Sequence, residues 1–66
     1  MELIINGESK EFLGITTVGE LVASLKLDGR KVAVEKNLEI IPRSSYTATP
    51  LAAGDKVEII TFIGGG

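Results

Sequence analysis

Sixty-six residues suffice for one modest core, because a chain near 60 residues buries only about 60% of its unfolded surface, and a large substrate cavity would compete with that core for volume. The absence of cysteine and histidine excludes disulfide staples, thiolate metal sites and the usual imidazole base or ligand. A net charge of −2, with basic residues scattered and only Arg30 and Lys31 adjacent, leaves no stripe for tracking nucleic-acid phosphates.

An apolar fraction of 44% is that of a folded globule rather than a disordered chain. The opening Met1-Glu2-Leu3-Ile4-Ile5 is too short and wrongly charged for a signal peptide, and no apolar run approaches the roughly 18 residues of a membrane span. A cytoplasmic, non-enzymatic single domain over residues 1–66 is expected, with no nucleic-acid or membrane partner and no bound cofactor or metal.

In chain order, Leu3-Ile4-Ile5, the turn Asn6-Gly7 and Glu8–Leu13 predict a hairpin. Both turn residues tolerate the positive φ that a two-residue type I′ turn demands, and Phe12 anchors the polar returning strand. Thr17 with Glu20 three residues on is a capping box. Val18, Leu21, Val22 and Leu25 follow on one side of a 3.6-residue period. This helix is expected to end near Lys26, whose charge suits the negative end of the helix dipole, before Asp28-Gly29.

Val32–Lys36 predicts the next strand, turned at Asn37 into Leu38–Ile41. Pro42 lacks an amide hydrogen and stops the ladder there. Arg43–Pro50 reads as a polar loop with one short helical turn around Ser45-Tyr46, Leu51 as a core plug, and Gly54-Asp55 as the turn into a last strand over Val57–Ile63.

A single helix must cover one face of the sheet that these strands form. The expected class is α+β, a β-grasp arrangement (ubiquitin-like) with a mixed sheet and the last strand parallel to the first. In that last strand Val57, Ile59 and Thr61 share one face, and Glu58, Ile60 and Phe62 the other. Val57 and Ile59 are expected beneath the helix. Ile60 and Phe62 then stand on the uncovered face as a partner-docking patch, worth about 1.5–3 kcal/mol for each side chain fully buried.

The chain closes on Gly64-Gly65-Gly66, which offers no side chain to pack. It reads either as a frayed end or as a slim, flexible arm bearing a reactive group. From Phe62 onward the arm spans at most about 17 Å, enough to enter a second protein's channel. The ionised carboxylate at its end is a poor electrophile. ATP overcomes this by forming an acyl-adenylate, from which a sulfur nucleophile yields a thiocarboxylate and an amine yields an amide. Glycine leaves the line of attack open. ATP and the catalytic groups must come from a partner, because the glycines lack the strand-to-helix setting and the Lys-Ser/Thr of a phosphate loop.

Elsewhere, Arg43 is read in two ways, as pairing with an acidic group of a partner or as solvating its loop. Tyr46 is expected to cover the core margin, and Asp55 to support its turn. Glu8, Glu11, Glu20 and Glu58 lie on separate elements and form no catalytic pair.

Ile5-Asn6-Gly7-Glu8, Thr17-Val18-Gly19-Glu20-Leu21, Val32–Asn37 leading to Ile41-Pro42-Arg43, Gly54–Ile59 and the closing glycines occur in an order and spacing that resemble the ThiS family of sulfur carriers in thiamin biosynthesis. The resemblance spans essentially the whole chain and is loosest over Arg43–Pro50. It implies a β-grasp carrier whose terminal diglycine is Gly65-Gly66. On that resemblance a ThiF-type adenylyltransferase uses ATP to adenylate Gly66, a sulfur-donor enzyme converts it to the thiocarboxylate, and a ThiG-type thiazole synthase receives the sulfur. The small subunit of molybdopterin synthase shares this chemistry but usually has a longer chain and a proline before its diglycine, which Phe62-Ile63-Gly64 lacks. A protein-conjugating ubiquitin-like modifier and a β-grasp interaction module are the remaining alternatives.

Overall fold

Two asparagine-led turns organise the sheet. The computed structural model describes residues 1–62. In it β1 (Glu2–Ile5) and β2 (Glu8–Glu11) pair in register Ile5↔Glu8, so that Asn6 and Gly7 alone form the loop. Their φ values of 49° and 84° are the positive pair of a type I′ turn. β3 (Val32–Lys36) and β4 (Glu39–Ile41) repeat the device with Lys36↔Glu39 closing on Asn37 and Leu38, at φ 50° and 71°. Leu38 is therefore a turn residue and not the first residue of a strand. The expected Leu38–Ile41 strand is one residue shorter because register sets the loop length.

A leucine at positive φ is crowded by its own Cβ, and Leu38 is also 91% exposed, so no burial offsets the strain. Leu38→Gly is expected to stabilise the protein by about 0.5–1 kcal/mol. A thermal melt should show a rise of roughly 2–8 °C.

α1 (Val18–Ser24) opens as the sequence predicts. The Thr17 hydroxyl accepts from the Glu20 amide at 3.2 Å, and the Glu20 carboxylate accepts from the Thr17 amide at 3.1 Å. It closes earlier than expected. Leu25 is the C-cap, and Lys26 lies beyond it at φ 61°. The Lys26 amide donates to the Ala23 carbonyl at 2.9 Å and the Leu27 amide to that of Val22 at 3.2 Å, the two bonds of a Schellman motif. Lys26 thus occupies the position glycine usually takes, and the helix has no basic residue in its last turn.

Two 3₁₀ segments follow, Gly29–Lys31 and Arg43–Ala48. The second replaces the expected loop with a continuous turn and buries Tyr46, whose hydroxyl donates to the Val32 carbonyl at 3.2 Å. β5 (Lys56–Thr61) ends one residue short of Phe62. Ile63, to which that strand was expected to run, lies outside the described residues. β2 likewise stops at Glu11 instead of Leu13, where Gly14 at φ 73° turns the chain. Phe12 still packs against the core.

The strand order is β2-β1-β5-β3-β4, with β5 parallel to β1 and antiparallel to β3. This is the mixed sheet under one main helix that the element order predicts. One cluster fills the space between: Leu3, Ile5, Val32, Val34, Val57 and Ile59 from the sheet, Val18, Leu21 and Val22 from α1, and Leu51 and Tyr46 from the connecting segment. Among the described residues no helix is long and apolar enough to cross a membrane.

Both turn asparagines also bracket the central strand. The Asn6 side chain donates to the Ile59 carbonyl at 3.1 Å and accepts from the Ile59 amide at 2.7 Å, continuing the β1–β5 ladder after β1 has turned away. The Asn37 amide donates to the Lys56 carbonyl at 2.7 Å, and its side chain accepts from the Lys56 amide at 3.0 Å and donates to Asp55 at 3.0 Å. Asp55 accepts in addition from the Ala52 amide at 2.8 Å, holding the Gly54 turn as expected.

Candidate functional site

β5 delivers the chain to one end of the sheet, and the candidate site is built around that end. Its alternation is as predicted: Val57 and Ile59 are buried, whereas Ile60 and Phe62 are 58% and 57% exposed. Ile60 stands opposite Ala33 on β3, and Ile40 of β4, 75% exposed, lies opposite Glu35. Residues directly opposite in a pair share a face, so these apolar groups occupy the side of the sheet that α1 leaves uncovered. Ile40 was not singled out in the sequence, although the phase of Glu39-Ile40-Ile41 against a buried Val34 carries the signal.

Phe62 is held at the exit by its own amide, which donates to the Lys31 carbonyl at 2.9 Å. Pro42 and Arg43 follow β4 at the same end. The Arg43 guanidinium donates through Nη1 to the Arg30 carbonyl at 3.2 Å. Together Arg30, Ala33, Ile40, Pro42, Arg43 and Phe62 line a shallow recess of about 300 Å³. The structure therefore brings Arg43 and Phe62 together. Ile60 shares their face without lining the recess. Gly64, Gly65 and Gly66 lie outside the described residues.

Electrostatically, Arg30 is engaged: its Nε and Nη2 donate to the two Asp28 oxygens at 3.1 and 3.0 Å. Hydrogen bonds from that side chain, and then from the Arg30 amide, lower the Asp28 pKa to about 2. The pair thus stays charged far below neutral pH. Glu20 is also held below its ordinary value, first by the Thr16 hydroxyl and then by the Thr16 and Thr17 amides. Its carboxylate is occupied with capping the helix. Among the described residues no group of three His, Cys, Asp or Glu could hold a metal.

The exit end thus offers an apolar recess and arginine donors, and the groups arranged there suit recognition of a partner. A model described as the ThiS family matches residues 3–66 of the chain. Sulfur carrier protein ThiS of Bacillus subtilis is 38% identical over 65 residues, covering 97% of this chain and 98% of that protein. The crystal structure of the thiamine biosynthesis protein ThiS from Geobacter metallireducens superposes with a TM-score of 0.84 at 38% identity, over 100% of both chains. A thiazole synthase of Paramagnetospirillum magneticum is 54% identical over 66 residues, all of this chain but only 20% of that protein. A thiazole synthase of Magnetococcus marinus is 38% identical over 66 residues, again all of this chain and 20% of that protein.

Proposed function

The chain belongs to the ThiS family, and on that footing we propose that it is a sulfur carrier of thiamin biosynthesis whose working group is the Gly66 carboxylate. A separate ThiF-type adenylyltransferase joins this carboxylate to the AMP moiety of ATP, releasing pyrophosphate. Hydrosulfide released by a donor enzyme then attacks the acyl carbon, the bond to AMP breaks as AMP leaves, the sulfur gives up its proton, and a thiocarboxylate remains. The carrier is the co-substrate and its partners are the catalysts. Gly65 and Gly64 keep the approach to the acyl carbon narrow and free of side chains.

The observation that carries this reading is the match along essentially the whole length of two ThiS proteins, from Bacillus and Geobacter. Similarity to part of two thiazole synthases supports a ThiG-type thiazole synthase as the recipient of the sulfur. Intact-protein mass spectrometry after incubation with ATP, the adenylyltransferase and a sulfur donor tests it. Exchange of one carboxylate oxygen for sulfur should add about 16 Da at the α-carboxyl. An unchanged mass under conditions that convert another ThiS protein would refute the assignment.

Ile60, Phe62 and Arg43 are proposed to dock the partner. Ile60→Asp and Phe62→Asp should each weaken binding to thiazole synthase by about 1.5–3 kcal/mol. Because both side chains are already exposed, the melting temperature should move by less than about 4 °C. Calorimetric titration beside a thermal melt separates the two effects, and unchanged affinity removes the docking role.

A further inference from the structure

The sequence contains two asparagines, Asn6 and Asn37, and no glutamine. Both lead positive-φ turns, and both hold β5 through their side chains. They differ in the residue that follows. Asn37 precedes Leu38, whose side chain crowds the next backbone nitrogen, whereas Asn6 precedes Gly7. Gly7 is exposed, and a Cβ built on it would meet nothing within 4 Å. Neither a side chain nor a neighbour therefore screens the turn at Gly7.

An unscreened nitrogen after asparagine is a nucleophile for the side-chain amide. Once hydroxide removes its proton, the Gly7 nitrogen attacks the Asn6 Cγ and closes a five-membered imide. The Cγ–Nδ2 bond breaks, and Nδ2 takes up a proton from water and leaves as ammonia. Water then opens the imide at either carbonyl. Cleavage at Cγ gives aspartate, and cleavage at the α-carbonyl gives isoaspartate, with the main chain routed through Cβ and Cγ.

In the folded protein the Asn6 amide is engaged elsewhere. Oδ1 accepts from the Ile59 amide at 2.7 Å and Nδ2 donates to the Ile59 carbonyl at 3.1 Å. Both bonds hold the side chain against β5, and Nδ2 cannot leave while it keeps its partner. Closure of the imide therefore requires the clamp to open.

We propose that Asn6-Gly7 is a self-modification site that the fold keeps latent: the Asn6 amide converts to aspartate or isoaspartate when the β1–β2 turn comes away from β5, and the product cannot rebuild the clamp. The aspartate places a carboxylate oxygen where Nδ2 donated, facing the Ile59 carbonyl with no hydrogen between them. The isoaspartate adds a carbon to a loop that the Ile5↔Glu8 register fits with two residues, so the type I′ turn is lost. A transient local opening is thereby made permanent. This site is independent of the sulfur chemistry proposed above.

The full chain, aged at mildly alkaline pH in buffer and in about 6 M guanidinium chloride, tests this. Fragmentation mass spectrometry locates the gain of about 1 Da as ammonia is lost and water gained. Asp28-Gly29 can isomerise through a similar imide, but without a change of mass. Asn6 should convert about thirtyfold or more faster in denaturant, the factor expected from two net hydrogen bonds, and Asn37 should lag behind it there. Equal rates for Asn6 in buffer and denaturant overturn the protection, and preferential conversion of Asn37 in denaturant overturns the site. The isoaspartate form is then separated by chromatography, with Asn6→Asp as the standard for the other product. Its Ile59 amide should exchange with deuterium about tenfold or more faster than in the unmodified chain. Unchanged exchange at Ile59 overturns the release of β5.

Discussion

A chain lacking Gly65 and Gly66 is expected to fold and melt like the intact protein, within about 2 °C, while accepting no sulfur at all. The two glycines carry no side chain to bury. The described core, from Leu3 to Ile59, is complete without them. The expected loss of transfer is absolute because the truncation removes the reacting carbonyl carbon itself. The new end, Gly64, also bears a carboxylate, but its reach is shorter by two residues, or about 7 Å. Circular dichroism paired with the mass measurement separates fold from chemistry. Any sulfur transfer to the truncated chain would refute the role of Gly66.

Asn6→Ala should be the most damaging single change outside the hydrophobic core. It removes both side-chain bonds to Ile59, leaves the amide of that buried residue without its partner, and places alanine at a φ of 49°. The lost bonds and the strained turn together should cost about 2 kcal/mol, a large share of the roughly 3–5 kcal/mol available to a core of this size. The melting temperature should fall by about 8–16 °C. Asn6→Gly keeps the turn geometry and loses only the clamp, so it should fall less. An Asn6→Ala protein that melts with the wild type would show that β5 does not need the clamp.

Asn6 also marks where sequence reading stops. Its place in an Asn-Gly turn was legible because a turn signal spans adjacent residues. Its grip on Ile59 was not, since the partners lie 53 positions apart and nothing local to either announces the other. Leu38 shows the converse failure: an apolar residue beside Glu39-Ile40-Ile41 reads as strand, and only the pairing of Lys36 with Glu39 makes it a turn. The helix end went the same way. Lys26 looks like a last-turn cation, yet the 2.9 and 3.2 Å bonds to Ala23 and Val22 place it beyond the cap.

For the candidate site, the exposure of Ile60 and Phe62 was readable from strand phase, because a period of two permits only two faces. The recess was not. Ile40 and Arg30 come from segments whose meeting depends on strand order and on the 3₁₀ turn that positions Arg43.

The residue pattern alone thus determined the capping box, the single amphipathic helix, the buried and exposed faces of β5 and the parallel pairing that follows from one crossover. These depend on neighbours within a few residues or on a simple period. Only the tertiary structure decided which distant groups meet: the asparagine clamps on β5, the turn at Leu38, and the gathering of Arg30 and Arg43 beside Phe62. Contacts of that kind are set by register and by the path of the chain between elements, and no local preference of the residues encodes either.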